Sequence, residues 1–228
     1  MMRRNIALIP AAGVGARFGA GKPKQYVEIN GKTVLQHTIE IFEQHSRIDL
    51  IAVILSPEDS VFQTALSEKV RVFRVGGASR AETVRNGVSV LLEQGLAEAQ
   101  DNILVHDAAR CCLPAEALTR LLDEAGENDE GGILAIPVAD TLKRSDGTHH
   151  IDETVARAGL WQAQTPQLFQ TALLQRALSV DDLSEITDEA SAVEKLGIRP
   201  RLVQGDTRNL KLTLPQDEYI VRLLLKAV

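Results

Sequence analysis

This chain has little cysteine, no long apolar run and no excess of positive charge. Its two cysteines, Cys111 and Cys112, are adjacent, which excludes a cross-linking disulfide framework and a metal site built from spaced cysteines. We therefore expect a reducing, cytoplasmic location. The apolar run at residues 6–9 ends at Pro10 and is too short for a signal sequence or a membrane span, so we expect a soluble protein with no membrane partner.

The charge balance is acidic, with 31 Asp and Glu residues against 25 Lys and Arg residues and a formal net charge of −6. A general nucleic-acid binder normally carries a basic excess on at least one face, so we expect no nucleic-acid partner. One segment departs from this balance: residues 10–26, PAAGVGARFGAGKPKQY, combine glycines with Arg17, Lys22 and Lys24 and contain no acidic residue. Such a local cluster of cations calls for a local explanation.

Short apolar runs alternate along the chain with longer segments whose apolar residues have helical spacing. The predicted strands are residues 5–10, 50–56, 70–76, 102–107 and 131–138, and the predicted helices between them are residues 33–45, 57–69, 79–99 and 114–128. The strands are nearly continuous in apolar residues, as in a sheet that is covered on both faces. This alternation predicts an α/β fold with a mostly parallel sheet, and a length of 228 residues suits one domain.

The alternation ends near residue 139. Residues 140–168 contain a turn signal at Asp146 and Gly147 between two strand-like flanks, which predicts a hairpin-like arm that leaves the main sheet. Helices are predicted at residues 171–179, 187–197 and 215–228, and a strand–loop–strand segment at residues 199–213. The predicted architecture is therefore an α/β layer structure with one projection.

The glycine-rich segment matches neither of the standard phosphate-binding motifs. The dinucleotide fingerprint G-x-G-x-x-G fails because Phe18 occupies the third glycine position. The Walker A motif fails at Ala16 and at Pro23. What remains is a glycine-rich loop with cations at the carboxyl end of a first strand, where open α/β sheets bind ligands, and this pattern favours a triphosphate site. The alternative is a surface loop whose cations are only solvated.

Six motifs occur together and in a fixed order: PAAGVGARFGAGKPKQY, GGASRAETVRNG, VHDAAR, LWQAQTPQLF, ITDEASAVE and GDTRNLKLT. In this order they resemble the 2-C-methyl-D-erythritol 4-phosphate cytidylyltransferases of the non-mevalonate isoprenoid pathway, over about residues 5–220. The resemblance implies one Rossmann-like nucleotidyltransferase domain over residues 1–228, with a projecting β-arm used in dimerisation. It also implies transfer of a cytidylyl group from CTP to 2-C-methyl-D-erythritol 4-phosphate, with Mg²⁺ as cofactor, giving 4-diphosphocytidyl-2-C-methyl-D-erythritol and pyrophosphate.

The resemblance assigns roles to residues at the matching positions. Those expected to bind the nucleotide are Ala11, Ala12, Gly13, Gly15, Arg17, Lys24, Gly77, Ala78, Thr83, Ala108 and Lys211. Those expected to bind the methylerythritol phosphate are Asp107, Arg110, Thr141, Arg157, Thr165 and Thr187. The four expected to act in catalysis are Arg17, Lys24, Arg157 and Lys211. Because Thr141 and Arg157 lie on the arm, they are expected to complete the neighbouring subunit's site in a homodimer, while the phosphates of CTP are expected to hold most of the Mg²⁺ coordination.

The expected reaction explains why the motifs contain no general-base machinery. A phosphate monoester is already ionised at neutral pH, so its attack on the α-phosphorus of CTP needs no Ser–His–Asp triad or carboxylate pair. The reaction needs two anions held in line, and it needs charge stabilised on the equatorial oxygens and on the leaving pyrophosphate. The four catalytic candidates are all cations and suit this task.

Several alternatives stay open at this point. His106 and Asp107 could form a catalytic pair, but neighbours on a strand point to opposite faces, so His106 is expected to be structural and Asp107 a site carboxylate for substrate hydroxyls or Mg²⁺. Thr187 could simply be the N-cap of a helix, a position that also favours a bound phosphate.

Rival functions are a ribitol-5-phosphate cytidylyltransferase, a non-catalytic nucleotide sensor and a dehydrogenase. The failed dinucleotide fingerprint argues against the dehydrogenase, and the presence of both Lys24 and Lys211 argues against the sensor.

Overall fold

The computed structural model describes residues 3–13, 23–63 and 67–226. The strands are β1 (Asn5–Pro10), β2 (Glu28–Ile29), β3 (Lys32–Thr33), β4 (Leu50–Ile54), β5 (Val70–Phe73), β6 (Asn102–Val105), β7 (Gly132–Pro137), β8 (Leu142–Ser145), β9 (Ile151–Val155), β10 (Trp161–Gln170) and β11 (Arg201–Gln204). The α-helices are α1 (Val34–Gln44), α2 (Arg80–Glu93), α3 (Ala115–Ala125), α4 (Thr171–Leu178), α5 (Glu189–Glu194) and α6 (Asp217–Leu224), and a 3₁₀ helix spans Lys24–Tyr26. None of the helices within these ranges is long and apolar enough to cross a membrane.

Seven strands form the central sheet in the order β11–β7–β10–β6–β1–β4–β5. The pairs β1–β4, β1–β6, β4–β5 and β7–β11 are parallel, whereas β10 is antiparallel to both of its neighbours, β6 and β7. This confirms the predicted α/β fold with a mostly parallel sheet. The chain runs outward from β1 through β4 and β5 and then returns to β6 on the other side of β1. The strand order thus reverses at β1, and ligands bind outside the carboxyl ends of the strands at such a switch point.

Helices cover both faces of the sheet. In β1, Ala7 and Ile9 face one layer, Ile6 and Leu8 face the other, and all four side chains are fully buried. Helices α1 and α3 contribute to the first layer, and α2 and α4 contribute to the second. Gly87 lets α2 approach the sheet closely, because a Cβ at this position would lie 2.8 Å from a side chain of β4. These two layers hold β1 and β6 rigidly, and the candidate site lies at the ends of these strands.

Most of the predicted strands and helices are confirmed with shortened ends, but the helix predicted at residues 57–69 is wrong for the described positions. Asp59 Oδ1 accepts hydrogen bonds from the backbone N–H of Val61 at 3.1 Å and of Phe62 at 3.0 Å. These are the contacts of a helix N-cap, but the backbone is irregular at residues 59–63, so no helix forms over the described part of this segment. Residues 64–66 of the predicted helix lie outside the described part of the chain.

The arm is a two-stranded antiparallel hairpin of β8 and β9, joined by the predicted turn. Gly147 has a φ of +88°, a conformation that suits glycine, and Asp146 Oδ1 accepts the backbone N–H of Thr148 at 2.7 Å. The predicted extent of the arm, residues 140–168, is wrong at its far end, because β10 belongs to the central sheet. Leu168 of β10 pairs with β6 and is buried there, so packing between β6 and β7 decides the position of this strand.

The last part of the chain also differs from the prediction. Of the two strands predicted within residues 199–213, only β11 forms. The segment after β11 bonds to β10 and to the loop after β6 instead of pairing as a strand: Asn209 Nδ2 donates to the Thr165 carbonyl at 2.7 Å, and the N–H of Leu212 donates to the Ala109 carbonyl at 2.9 Å. The helix predicted at residues 215–228 is the shorter α6 within the described residues.

Candidate active site

A cavity of about 580 Å³ opens at the carboxyl ends of β1 and β6. Among the residues predicted to bind the nucleotide, it is lined by Ala11, Ala12, Gly13, Lys24, Gly77, Ala78, Thr83, Ala108 and Lys211. The other lining residues are Pro10, Gln25, Ser79, Arg80, Asp107, Ala109 and Thr213. Gly15 and Arg17, which are also predicted to bind the nucleotide, lie outside the described residues. Segments far apart in sequence therefore meet at the switch point of the sheet.

The loop after β1 is held in place by Gln25, which the sequence pattern did not single out. Its Nε2 donates to the carbonyl of Ala11 at 3.0 Å and to that of Gly13 at 2.9 Å. Gln25 is buried in the 3₁₀ helix that also carries Lys24. Lys24 Nζ donates to the carbonyl of Leu212 at 3.3 Å. These contacts place the start of the glycine-rich segment and a predicted catalytic lysine on one wall of the cavity.

The first turn of α2 shapes another wall. Ser79 is the N-cap of α2, and its Oγ accepts the N–H of Glu82 at 3.1 Å. Thr83 Oγ1 donates to the Ser79 carbonyl at 2.9 Å and accepts the N–H of Gly77 at 3.1 Å. Glu82 accepts the N–H of Ala78 at 2.8 Å. The amides of Gly77 and Ala78 are therefore engaged within the chain, and Thr83 fixes the loop that faces the cavity.

Asp107, the predicted site carboxylate, follows β6 and lies at the centre of a buried charge cluster. Its Oδ1 accepts a hydrogen bond from Arg80 Nε at 2.9 Å, and its Oδ2 lies 2.7 Å from Lys211 Nζ. Arg110 Nε lies 3.8 Å from the same Oδ2. Burial alone would raise the pKa of Asp107, but Arg80 and Lys211 outweigh burial and hold this pKa well below its usual range. Asp107 is therefore an anion at neutral pH.

Arg80 and Glu189 complete the cluster, and neither was predicted from the sequence. The two terminal nitrogens of Arg80 donate to the two oxygens of Glu189, at 2.6 and 3.0 Å. Burial alone would lower the pKa of Arg80, but the carboxylates of Glu189 and Asp107 outweigh burial, and the pKa is raised. The sequence held one signal for each residue. Arg80 in SRAE and Glu189 in TDEA are charged residues near the start of a predicted helix, and each lies inside one of the six motifs.

His106 is structural, which confirms the prediction. Its Nε2 lies 3.0 Å from the Arg110 carbonyl, and its Nδ1 lies 3.0 Å from Thr165 Oγ1. The ring packs edge-on against Phe42, with ring centroids 5.1 Å apart. Burial lowers the pKa of His106 to about 4, so the ring is neutral at neutral pH. His106 therefore fixes the loop after β6 from inside the core.

Arg110 and Thr165, predicted to bind the methylerythritol phosphate, lie next to Asp107 but outside the cavity lining. Thr165 Oγ1 accepts the N–H of Asp107 at 3.1 Å. Arg110 donates through one terminal nitrogen to the Asn209 carbonyl at 2.6 Å, while its Nε is buried without a hydrogen-bond partner among the described residues. A buried donor without a hydrogen-bond partner is costly, and the Asp107 carboxylate 3.8 Å away offsets part of this cost.

Thr187 is not the N-cap of α5, which was the alternative to a substrate-binding role. Asp188 caps α5 instead, because its carboxylate is a better acceptor than a threonine hydroxyl, and its Oδ1 accepts the N–H of Ser191 at 2.9 Å. The N–H of Ala190 donates to Gln167 Oε1 at 2.8 Å. These amides are thus paired with acceptors of the protein, which argues against a phosphate at the start of α5. Thr187 is exposed, and its part in substrate binding stays a prediction.

Thr141 and Arg157 flank the arm, one just before β8 and the other just after β9. Both residues are exposed, and neither belongs to the cavity lining of its own chain. One chain therefore does not bring these two residues into the site. Their predicted contribution to a neighbouring subunit stays a prediction.

The donor set of the cavity fits a metal ion that is held chiefly by a ligand. Within residues 3–13, 23–63 and 67–226, no group of three or more His, Cys, Asp or Glu side chains is placed to hold a metal. Asp107 is the carboxylate among the described lining residues, and both of its oxygens are engaged by cations. Mg²⁺ is usually bound through one or two carboxylates together with substrate phosphates, and this cavity suits the phosphate-rich form of such a site.

The chain matches, over residues 5–227, the family model described as 2-C-methyl-D-erythritol 4-phosphate cytidylyltransferase. A relative of that name from Neisseria meningitidis serogroup C is 70% identical over 100% of both chains. A solved structure of 4-diphosphocytidyl-2C-methyl-D-erythritol synthase has a TM-score of 0.89 at 64% identity, covering 99% of this chain and 100% of that chain. The structure of the Francisella tularensis cytidylyltransferase has a TM-score of 0.82 at 32% identity, covering 97% and 99%. This chain therefore belongs to the 2-C-methyl-D-erythritol 4-phosphate cytidylyltransferase family.

Proposed function

We propose that this chain transfers the cytidylyl group of CTP to 2-C-methyl-D-erythritol 4-phosphate, forming 4-diphosphocytidyl-2-C-methyl-D-erythritol and pyrophosphate. The names of the matching family and relative describe this activity. The structural observation that carries the proposal is the convergence of Lys24 and Lys211, from opposite ends of the chain, on a cavity at the switch point of the sheet. The same names favour methylerythritol phosphate over the alternative acceptor, ribitol 5-phosphate.

The nucleotide is assigned to the loop after β1 and to the loop before α2. Backbone approach at the glycines and the charges of Lys24 and Lys211 suit a triphosphate. Attack on the α-phosphorus builds negative charge on the equatorial oxygens and on the leaving pyrophosphate. Fixed cations at these positions stabilise the transition state more than the ground state, which is the role proposed for both lysines. Arg17, outside the described residues, is assigned the same role by family resemblance.

The acceptor is assigned to the Asp107 side of the cavity. The Asp107 carboxylate is ionised and held at the end of a buried strand, so it suits hydrogen bonds from the hydroxyls of the acceptor. Arg110 and Thr165 support Asp107, because Arg110 Nε lies 3.8 Å from its carboxylate and Thr165 Oγ1 accepts its N–H. The acceptor phosphate is the nucleophile and is already ionised, so no side chain has to remove a proton.

Mg²⁺ is the proposed cofactor, held mainly by the phosphates of CTP. When bound, it neutralises phosphate charge that would otherwise oppose the approach of a second anion. The engagement of Asp107 by Arg80 and Lys211 is compatible with this arrangement, since it leaves the coordination mainly to the nucleotide. A chelator is expected to stop turnover, and added Mg²⁺ is expected to restore it.

A cytoplasmic homodimer with one nucleotidyltransferase domain over residues 1–228 completes the proposal. A two-stranded hairpin is marginal on its own, and the arm exposes Ile151, so the arm is expected to pack on the arm of a partner. In such a dimer, Thr141 and Arg157 serve the neighbouring site. The complementation experiment in the Discussion tests this part.

The test of the activity is to supply CTP, Mg²⁺ and methylerythritol phosphate and to measure pyrophosphate and the cytidine diphosphate product. Both are expected, with much slower product formation from ribitol 5-phosphate. ATP and GTP are expected to be strongly rejected and UTP less so, because a site that hydrogen-bonds cytosine leaves its polar groups unpaired with other bases. Comparable turnover with ATP would refute cytidylyl transfer, and a preference for ribitol 5-phosphate would refute the acceptor.

A further inference from the structure

We propose that Glu189 is a positioning residue, which orients Arg80 and through it fixes the carboxylate of Asp107 toward the acceptor. The inference rests on the proposed function, because it takes Asp107 as a group that binds the acceptor. Three separate elements meet at this point: Asp107 follows β6, Arg80 begins α2 and Glu189 begins α5. Arg80 thus connects the three elements through its ion pairs with Asp107 and Glu189.

The guanidinium of Arg80 is held at two edges. Its Nε donates to Asp107 at 2.9 Å, and its two terminal nitrogens donate to Glu189 at 2.6 and 3.0 Å. A planar fork with a bidentate partner on one edge has a defined orientation, which a single contact would not give. A change at Glu189 is therefore transmitted to Asp107 through a rigid group.

Asp107 depends most on Arg80 once the nucleotide has bound. In the structure, Lys211 Nζ lies 2.7 Å from Asp107 Oδ2. Lys211 is assigned to the phosphates of CTP, so the nucleotide competes with Asp107 for this cation. When Lys211 turns toward the phosphates, Oδ2 becomes available to the hydroxyls of the acceptor, and Arg80 remains as the contact that holds Oδ1.

Stability does not explain why the pair of Arg80 and Glu189 is charged. The Glu189 side chain is only 1% exposed, so its burial carries a desolvation cost. Apolar residues of similar volume often replace a buried ion pair with no loss of stability. The start of α5 is already fixed by the Asp188 cap and by the bond from the Ala190 amide to Gln167. The charges therefore need a reason other than holding α5 in place.

The first test compares Glu189→Gln with Glu185→Gln, a control that removes an exposed carboxylate paired with Lys195 in the same segment. In the assay with CTP, Mg²⁺ and methylerythritol phosphate, Glu189→Gln is expected to raise the KM for the acceptor about tenfold or more, because small misplacements of a binding group have effects of this size. The KM for CTP is expected to stay within about twofold, and the control is expected to match the wild type. Equal changes in both KM values, or no change, would overturn the proposal.

A second test separates positioning from packing. The double variant Arg80→Met, Glu189→Leu replaces the ion pair with apolar side chains, so its Tm is expected to stay near that of the wild type. Its KM for the acceptor is expected to stay raised, since Asp107 has lost its contact. Wild-type kinetics in a folded double variant would show that the pair serves packing alone and would overturn the proposal.

The geometry is also measurable without turnover. The ¹⁵N-edited NMR signal of the Arg80 Nε–H, assigned by its loss in the double variant, is expected to shift in Glu189→Gln and not in Glu185→Gln. An unchanged signal in Glu189→Gln would overturn the proposal. An inactive wild type with the expected shift would instead refute the proposed function and leave the positioning geometry supported, so the two failures are distinguishable.

Discussion

At the cavity, the side chains of Asp107 and Glu189 are 10% and 1% exposed, and each is held by cations at hydrogen-bonding distance. On the arm, Arg144 and Glu153 lie 2.6 Å apart, but their side chains are 61% and 54% exposed. Charge interactions are stronger and more directional where water is excluded, whereas exposed pairs contribute little. One chain can therefore organise the charges of its cavity by itself, whereas the charges of its arm stay in contact with water.

The largest effect is expected when a cation is removed from the cavity. Lys24→Ala is expected to lower kcat about a hundredfold or more, because a cation aimed at developing phosphoryl charge acts mainly in the transition state. Arg17→Ala is expected to act in the same way. Steady-state kinetics measure the loss, with Lys195→Ala as a control for an exposed lysine in an ion pair. Near-normal turnover in a folded Lys24 variant would remove Lys24 from the catalytic set.

The arm is tested by mixing subunits. Arg157→Ala and Lys24→Ala are each expected to be nearly inactive as pure proteins. After subunit exchange at equal amounts, about a quarter of wild-type activity is expected, because about half of randomly paired dimers are mixed and each mixed dimer holds one intact site. If mass spectrometry confirms exchange and no activity returns, Arg157 does not act across the dimer.

The cavity lining was largely predictable, since strand periodicity placed the ends of β1 and β6 and the family resemblance named most of the residues there. Arg80, Glu189 and Gln25 were missed because their roles depend on pairing between distant segments, which no local pattern records. The same cause explains β10, whose place between β6 and β7 is decided by packing. The helix predicted at residues 57–69 is a different failure, because its apolar spacing suits a helix but residues 59–63 are irregular.

A smaller effect is expected on the free energy of unfolding, through the buried ring of His106. Burial lowers its pKa to about 4 from the ordinary value of about 6.5, so the unfolded chain takes up a proton first as the pH falls. Stability from this group is fully present above about pH 6.5 and is lost between about pH 6.5 and 4, amounting to about 2–3 kcal/mol at pH 4.5.

Urea denaturation between pH 4.5 and 7.5 measures this loss, and His106→Gln, which cannot titrate, isolates it. His45 also has a pKa lowered by burial and adds in the same direction, so the difference between wild type and variant is the relevant quantity. A variant with the same pH dependence as the wild type would show that His106 does not supply the effect.

The smallest effect is expected on the arm. A double-mutant cycle of Arg144→Ala and Glu153→Ala is expected to give a coupling of about 0.2–1 kcal/mol in the free energy of unfolding, because both side chains are solvated and pay an entropy cost to stay paired. Adding salt is expected to reduce it further, since exposed charges are screened. A coupling well above this range that persists in high salt would mean that the pair is desolvated in solution, so that in the proposed dimer the face of the arm that carries Arg144 and Glu153 lies against the partner.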